Sequence, residues 1–211
     1  MKELMRQPAE RSKELFELAE SQQGFFTAKQ AESVGYIKTN HSYHVKSGNW
    51  LREARGIYRL AQFPTTPDQQ KILYALWSQN RQGQVQGVYS HETALAHYGI
   101  SDANPSKLDM TVPKSFRRTA KIPKVIRLHH ADLTKDMILE SRGFLVTKPN
   151  RTISDIMTCG WVPFEIVRQA SIEALKLGLL QKWEIESIVD HVIAPSEMRV
   201  QLQTLLKEIR K

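Results

Sequence analysis

Side chains that can bind phosphates and base edges are concentrated between residues 36 and 60. Five Lys/Arg residues in this stretch accompany a single acid, Glu53. Lysine and arginine neutralise phosphates, and asparagine can read adenine through two hydrogen bonds. The stretch therefore predicts a nucleic-acid surface, with a solvated basic face as the alternative interpretation. The candidate contact residues are Lys38, Thr39, Asn40, Ser42, His44, Lys46, Arg52, Arg55 and Arg59.

The elements that must position these side chains are two short helices and a hairpin. Thr27 is a suitable helix N-cap because its hydroxyl can accept an unpaired backbone N–H. Gly56 can adopt the positive φ that a tight turn between two strands requires. The predicted elements are helices at 28–32 and 39–47 and strands at 50–52 and 57–60. This order is that of a winged helix-turn-helix, which presents its second helix and its hairpin to double-stranded DNA.

Spacing alone leaves the orientation of some candidates open. His41 and His44 share a helix face with Val45, so each imidazole points either to DNA or to the core. Arg59 lies on the strand face opposite Tyr58, and Tyr58 is expected to pack inward.

Two prolines, Pro64 and Pro67, mark the clearest boundary along the chain. Proline restricts the backbone and interrupts strand pairing. Thr66 is expected to cap a helix that begins at Pro67. The predicted fold class is α+β, with a winged helix at 1–62 and a mixed α/β domain with a helical C-terminal part at 63–211.

A second basic cluster falls within the predicted second domain. Seven Lys/Arg residues accompany two acids between residues 101 and 130. Three interpretations stay open: an additional DNA contact, a surface for an acidic partner, and a solvated loop. The members of this cluster are Lys114, Arg117, Arg118, Lys121, Lys124 and Arg127.

Composition narrows the class of protein. The net charge of +8 and the pI near 9.6 favour a polyanionic partner. The single cysteine, Cys159, cannot form an internal disulfide and is expected to be a buried thiol. No segment has the roughly 18 apolar residues of a membrane helix, and the first residues lack the apolar core of a secretory signal. A cytoplasmic protein without membrane contact is therefore expected.

Catalytic and metal-binding motifs are not found. The spacing of His91 and His97 is not that of two ligands on one helix face, and no HExxH, phosphate-binding glycine loop or GxSxG motif occurs. Arg151 and Asp155 are expected to form a structural ion pair on a helix. We therefore expect no metal, no cofactor and no enzymatic activity.

Several segments resemble the AbiEi antitoxins of type IV toxin–antitoxin systems. The matching segments are GFFTAKQA at 24–31, SYHVKSGNW at 42–50, RGIYRL at 55–60, SHETAL at 90–95, LDMTVP at 108–113 and RTISD at 151–155. The resemblance covers roughly residues 11 to 190. It implies a winged helix-turn-helix followed by an antitoxin domain.

The function that this resemblance implies has two parts. The protein would repress its own promoter, and it would counteract a nucleotidyltransferase-like toxin encoded nearby. One alternative is a winged-helix repressor without a toxin partner. Another is an enzyme that modifies the toxin, as an atypical protein kinase would. A neighbouring nucleotidyltransferase gene would separate the first two interpretations, and incubation with labelled ATP would test the third.

Overall fold

The computed structural model describes residues 7–119 and 121–210. The chain forms two compact units, residues 1–87 together with 140–144, and residues 88–139 together with 145–211. This division differs from the predicted boundary after residue 62. The physical reason is a helix, Gln69–Trp77, which packs on two strands of the first unit.

The first unit contains a winged helix. Thr27 begins the second helix with a reciprocal capping box, because its hydroxyl accepts from Gln30 N–H at 3.2 Å and its own N–H donates to the Gln30 side chain at 2.8 Å. The elements are α1 (Pro8–Glu20), β1 (Phe25–Thr27), α2 (Ala28–Ser33), α3 (His41–Lys46), β2 (Trp50–Ala54), β3 (Ile57–Leu60) and α4 (Gln69–Trp77). The strands form one antiparallel sheet in the order β1-β3-β2.

Three local features of this unit differ from the sequence predictions. The predicted helix at 39–47 is a 3₁₀ turn, Lys38–Asn40, followed by α3. Strand β1 was not predicted. Helix α4 begins after Asp68 and not at Pro67. Thr66 does not cap it, because its hydroxyl donates to the Gln23 side chain at 2.7 Å.

Trp50 lies at the centre of the core of the first unit. It is 2% exposed. Its ring lies 4.8 Å from that of Phe26, 5.1 Å from that of Tyr36 and 5.5 Å from that of Tyr58. These contacts join the strands to the segment before α3, so the hairpin and the helices share one core.

The second unit combines a mixed sheet with a helical core. The sheet consists of β4 (Val88–Tyr89), β5 (Leu108–Val112), β6 (Ile126–His130), β7 (Ile138–Ser141) and β8 (Phe144–Thr147), in the order β6-β5-β4-β8-β7. Residues 140–144, at the end of β7 and the start of β8, are counted with the first unit. The helices are α5 (His91–Tyr98), α6 (Pro149–Thr158), α7 (Phe164–Lys176), α8 (Lys182–His191) and α9 (Ser196–Arg210). The mixed sheet and helical end confirm the predicted α+β class.

Strand direction brings several polar segments to one end of this sheet. β4 runs parallel to β8 and antiparallel to β5, and β5 runs parallel to β6. The carboxyl ends of β4 and β8 therefore lie beside the starts of β5 and β6. Helices α5 and α6 follow those carboxyl ends directly.

The helices of the second unit bury their apolar faces against one another. Leu202, Leu205 and Ile185 are among the buried residues of this core. No described helix combines the length and the apolar character that crossing a bilayer requires.

Gly24→Ala is expected to destabilise the first unit more than Gly56→Ala. Both glycines have positive φ, +93° and +74°, and a left-handed conformation costs an L-residue about 1–2 kcal/mol. A Cβ on Gly24 would also lie 2.5 Å from Phe63 Cβ, whereas nothing lies within 4 Å at Gly56. Overpacking adds roughly 1–3 kcal/mol. Urea unfolding of both variants measures the difference, and equal losses would contradict the packing at Gly24.

Candidate nucleic-acid interface

An exposed stripe follows the 3₁₀ turn and helix α3. It consists of Asn40, Tyr43 and Lys46, which are spaced three residues apart and so share one helix face, together with Thr39, four residues before Tyr43. All four are exposed, and Tyr43 is 67% exposed. Lys38 and Ser42 are exposed beside the stripe. This face can present donors, acceptors and one aromatic ring to a groove of DNA.

The opposite face of α3 packs into the unit. His41 is 4% exposed, and its Nε2 donates to the Tyr36 carbonyl at 3.2 Å. Its ring also lies 5.3 Å from that of Trp50. Of the two orientations that spacing left open for His41, the structure has the inward one.

His44, a predicted DNA contact, is half-buried and packs against the aromatic core. Its ring stacks on Trp50 at 4.7 Å and 20°, and it meets the Tyr36 ring edge-on at 5.1 Å. Burial, followed by the nearby charges of His41 and Arg11, lowers the pKa of His44. These ring contacts tie α3 to the aromatic core.

The hairpin β2–β3, called the wing, presents two of its three predicted arginines. Arg52 and Arg55 are exposed. The turn between the strands contains Gly56, whose φ of +74° confirms the predicted conformation. Arg52 and Arg55 can therefore reach a phosphate backbone or a minor groove.

The third arginine of the wing, Arg59, is corrected as a DNA contact. It is 8% exposed. Its Nε donates to Glu53 Oε1 at 2.8 Å, and its Nη1 donates to the Phe63 carbonyl at 2.7 Å. Its guanidinium also lies 5.9 Å from the Phe25 ring. As predicted from strand alternation, Arg59 and Tyr58 lie on opposite faces of β3. Both faces are covered by other residues of the unit, so Arg59 is buried.

The second basic cluster divides into an exposed part and a paired part. Its exposed members are Lys114, Arg117, Arg118, Lys121 and Lys124. Arg127 is corrected, because it lies on β6 with its Nη1 3.4 Å from Asp109 Oδ1 and 3.7 Å from Glu92 Oε2. The connection at 113–125, called the basic connection, therefore carries the exposed charge.

A polar cluster that sequence reasoning missed lies at the strand ends of the second unit. Asp109 is fully buried and accepts from His129 Nε2 at 2.9 Å. Thr111 Oγ1 donates to Ser90 Oγ at 2.8 Å, and Ser90 Oγ lies 2.9 Å from His91 Nδ1. The chain places these residues on β5, β6 and the start of α5.

Three rings lie nearly parallel at this cluster. The His91 and His129 rings are 3.9 Å apart. The Trp161 ring lies 5.4 Å from that of His91 and 5.3 Å from that of His129, at angles of 21° and 8°. Trp161 is 43% exposed. We call His91, His129 and Trp161 the ring cluster.

Strain and unsatisfied acceptors occur together at this place. His91 has a φ of +49°, which is unusual outside glycine. Within the described residues, the buried oxygens Asp109 Oδ2 and Asp155 Oδ2 have no hydrogen-bond partner. Such features are concentrated at functional sites in proteins. The signal available in the sequence was the pair of segments SHETAL and LDMTVP, which contain Ser90, His91 and Asp109.

Electrostatics keep His91 neutral. Burial, the neighbouring imidazole of His129 and the guanidiniums of Arg151 and Arg127 lower the pKa of His91 to about 3. Burial raises the pKa of Asp155, although Arg151 donates to its Oδ1 at 2.8 Å. A histidine with so low a pKa is a weak base, so the contact does not activate Ser90 as a nucleophile.

Neither the remaining histidines nor the cysteine adds a reactive site. Within residues 7–119 and 121–210, no group of three His, Cys, Asp or Glu side chains is arranged to hold a metal ion. Cys159 is half-buried, and burial raises the pKa of its thiol. It is therefore a thiol near neutral pH rather than a thiolate.

Residues 13–61 match the family of transcriptional regulators described as AbiEi antitoxins. The match covers the exposed stripe and the whole wing, and it confirms the resemblance predicted for this segment. No curated protein matches the chain.

A solved structure shares the fold along nearly the whole chain. The crystal structure of the RV2827C protein from Mycobacterium tuberculosis matches with a TM-score of 0.57 and 12% identity, over 97% of this chain and 78% of that chain. At this identity the likeness concerns the fold alone. It supports the α+β class.

His91→Asn is expected to reduce the loss of stability on acidification. A folded pKa of about 3 lies below the unfolded value of about 6.5, so the unfolded state binds more protons between these pH values. The free energy of unfolding then falls as the pH drops through this range, by up to about 1.4 kcal/mol per pH unit. The raised pKa of Asp155 acts in the opposite sense and is common to both proteins.

Urea unfolding at about pH 4.5 and about pH 7 measures this difference. His130→Asn, an exposed histidine on β6, is the control and should behave like the wild type. An unchanged pH dependence in His91→Asn would show that His91 is already charged in the folded protein.

Proposed function

We propose that this chain, whose residues 13–61 match the AbiEi family of transcriptional regulators, is an autorepressor and antitoxin. The first unit binds the promoter of its own operon as double-stranded DNA. The chain also counteracts a nucleotidyltransferase-like toxin. The family description supports regulation, whereas the toxin and the autorepression are our proposals.

The observation that carries the DNA-binding proposal is the exposed stripe beside a basic wing. Lys38, Lys46, Arg52 and Arg55 are exposed, while the acid Glu53 is paired with the buried Arg59. The charge available to DNA in this region is therefore almost entirely positive. A second helix with polar residues and a basic hairpin is the arrangement by which winged helices meet a groove and the adjacent phosphates.

The roles within the interface follow from side-chain chemistry. Lys46 and the two wing arginines bind phosphates, which sets affinity and its salt dependence. Asn40, Thr39 and Ser42 can bond base edges. Tyr43 lies at the centre of the stripe, and its 67% exposure leaves an apolar ring to contact thymine methyl groups.

Arg55→Ala and Lys46→Ala are expected to weaken promoter binding and to reduce its salt dependence. Each lost phosphate contact lowers the log–log slope by about 0.9. Tyr43→Ala should instead reduce the preference for the promoter over unrelated duplex, with little change in slope. Fluorescence anisotropy of the full chain over a salt series measures both quantities.

Lys13→Ala serves as the matched control, because Lys13 is an exposed cation on α1 outside the proposed interface. It should bind like the wild type. If Arg55→Ala and Lys46→Ala keep the full slope, the wing and α3 do not contact DNA. If the wild type does not bind the DNA upstream of its own gene, the repressor proposal is wrong.

The toxin part of the proposal rests on the resemblance of segments beyond the winged helix. The segments SHETAL and RTISD belong to the second unit, which has its own helical core. We therefore assign toxin control to the second unit and promoter binding to the first.

A Lys46→Ala/Arg55→Ala double variant is expected to separate the two activities. It should lose repression of a reporter under its own promoter, because two phosphate contacts are removed. It should still rescue growth of cells that express the neighbouring nucleotidyltransferase-like gene. Reporter output and colony counts measure the two activities. If a folded double variant no longer rescues growth, toxin control depends on DNA binding by the first unit.

A further inference from the structure

We propose that the second unit binds single-stranded nucleic acid. The basic connection follows the phosphate backbone, and an unpaired base stacks on Trp161. This activity is separate from duplex binding by the first unit. It assigns the second basic cluster, for which sequence left three interpretations open, to one kind of partner.

The first observation is the density of positive charge on the basic connection. It carries Lys114, Arg117, Arg118, Lys121 and Lys124, all exposed, and no Asp or Glu occurs between residues 110 and 131. Such a run neutralises successive phosphates of one strand and makes binding dependent on salt.

The connection is held in place at its start. Phe116 is 5% exposed, and the Arg117 guanidinium donates to the carbonyls of Lys114 and Phe116 at 2.9 and 2.8 Å. The Asp132 side chain accepts from the Lys114 N–H at 3.1 Å. Fixed backbone bonds reduce the entropy that binding must remove.

The second observation is that the basic connection leads to a strand that lies beside an exposed aromatic ring, Trp161. The basic connection leads directly into β6, which begins at Ile126. Arg127, the next residue, places its guanidinium 5.4 Å from the centre of the Trp161 ring. A single-stranded nucleic acid that follows the basic connection therefore reaches Trp161.

Trp161 has the geometry of a stacking surface for a base. It is 43% exposed, so part of the indole is accessible to a ligand. Its ring is held nearly parallel to His129, at 8°, so its orientation is set before a ligand arrives. Stacking of bases on aromatic rings beside a basic groove is how proteins bind single strands.

The ring cluster supports a ligand site rather than a simple surface. His91 directly follows the carboxyl end of β4, and its ring meets that of His129 on β6. The strained φ of His91 and the unpaired buried oxygen of Asp109 lie in the same place. Folded proteins retain such costs mainly where function requires them.

Chemistry favours a single strand over the two other polyanions. In duplex DNA the bases are paired and stacked, so no base face is available to Trp161. An acidic protein segment would pair with the lysines but would gain little from the indole. Only an unpaired nucleotide uses both the charge and the ring.

The test compares two exposed tryptophans of the second unit. Labelled single strands of about 12 nucleotides, one RNA and one DNA, are titrated with the full chain by fluorescence anisotropy. Trp161→Leu should weaken binding at least about tenfold, because one stacked base is lost. Trp183→Leu is the matched control, since Trp183 is 67% exposed on α8.

A charge variant gives an independent measurement if Trp161→Leu does not fold. Lys121→Ala/Lys124→Ala should lower the log–log salt slope by about 1.4, since each phosphate of a single strand contributes about 0.7. Both variants should bind promoter duplex like the wild type, because that surface is in the first unit. Comparison of the two oligonucleotides tells whether RNA or DNA is preferred.

Three outcomes would overturn the proposal. They are absence of single-strand binding by the wild type, unchanged affinity in a folded Trp161→Leu variant, and equal competition by polyglutamate. The last would assign the surface to an acidic protein. Loss of promoter binding by the wild type is a different result, which would count against the proposed repressor function alone.

Discussion

The packing of Trp50 is the interaction on which the first unit depends. Trp50 begins the wing, and its ring contacts His44 of α3 together with Tyr36 and Tyr58. One buried indole thus fixes the angle between the helix and the wing. Truncation of a core aromatic residue to alanine typically lowers the free energy of unfolding by roughly 3–5 kcal/mol. The packing of Trp50 therefore sets both the stability of the unit and the spacing of its exposed cations.

Pairing within each unit explains why the number of Lys/Arg residues in the sequence overstates the positive charge available to a ligand. Arg59 is bound by Glu53 and by the Phe63 carbonyl, so one cation and the only acid of the wing neutralise each other. Arg127 is likewise directed to carboxylates of its own unit. Arg59 is 8% exposed, and a buried guanidinium requires such partners because an unpaired charge in the interior is costly. What remains exposed is positive at two separate places, one in each unit.

The two units place their polar residues by different means. In the first, a helix surface carries the candidate contacts and its inner face is aromatic. In the second, strand direction brings Asp109, His129 and His91 to one end of the sheet. The first arrangement suits a long regular duplex, and the second suits a small group that enters from the edge.

The sequence by itself determined local structure, including the cap at Thr27 and the turn at Gly56. These features depend on hydrogen bonds and backbone preferences among neighbouring residues, which a short pattern records. Only the tertiary structure decided that Arg59 is buried, that His44 stacks on Trp50, that Arg127 pairs with carboxylates and that α4 packs with the first unit. It also brought His91 against His129, two residues far apart in sequence. Their contact depends on strand order and packing between distant segments, and no local pattern contains that information.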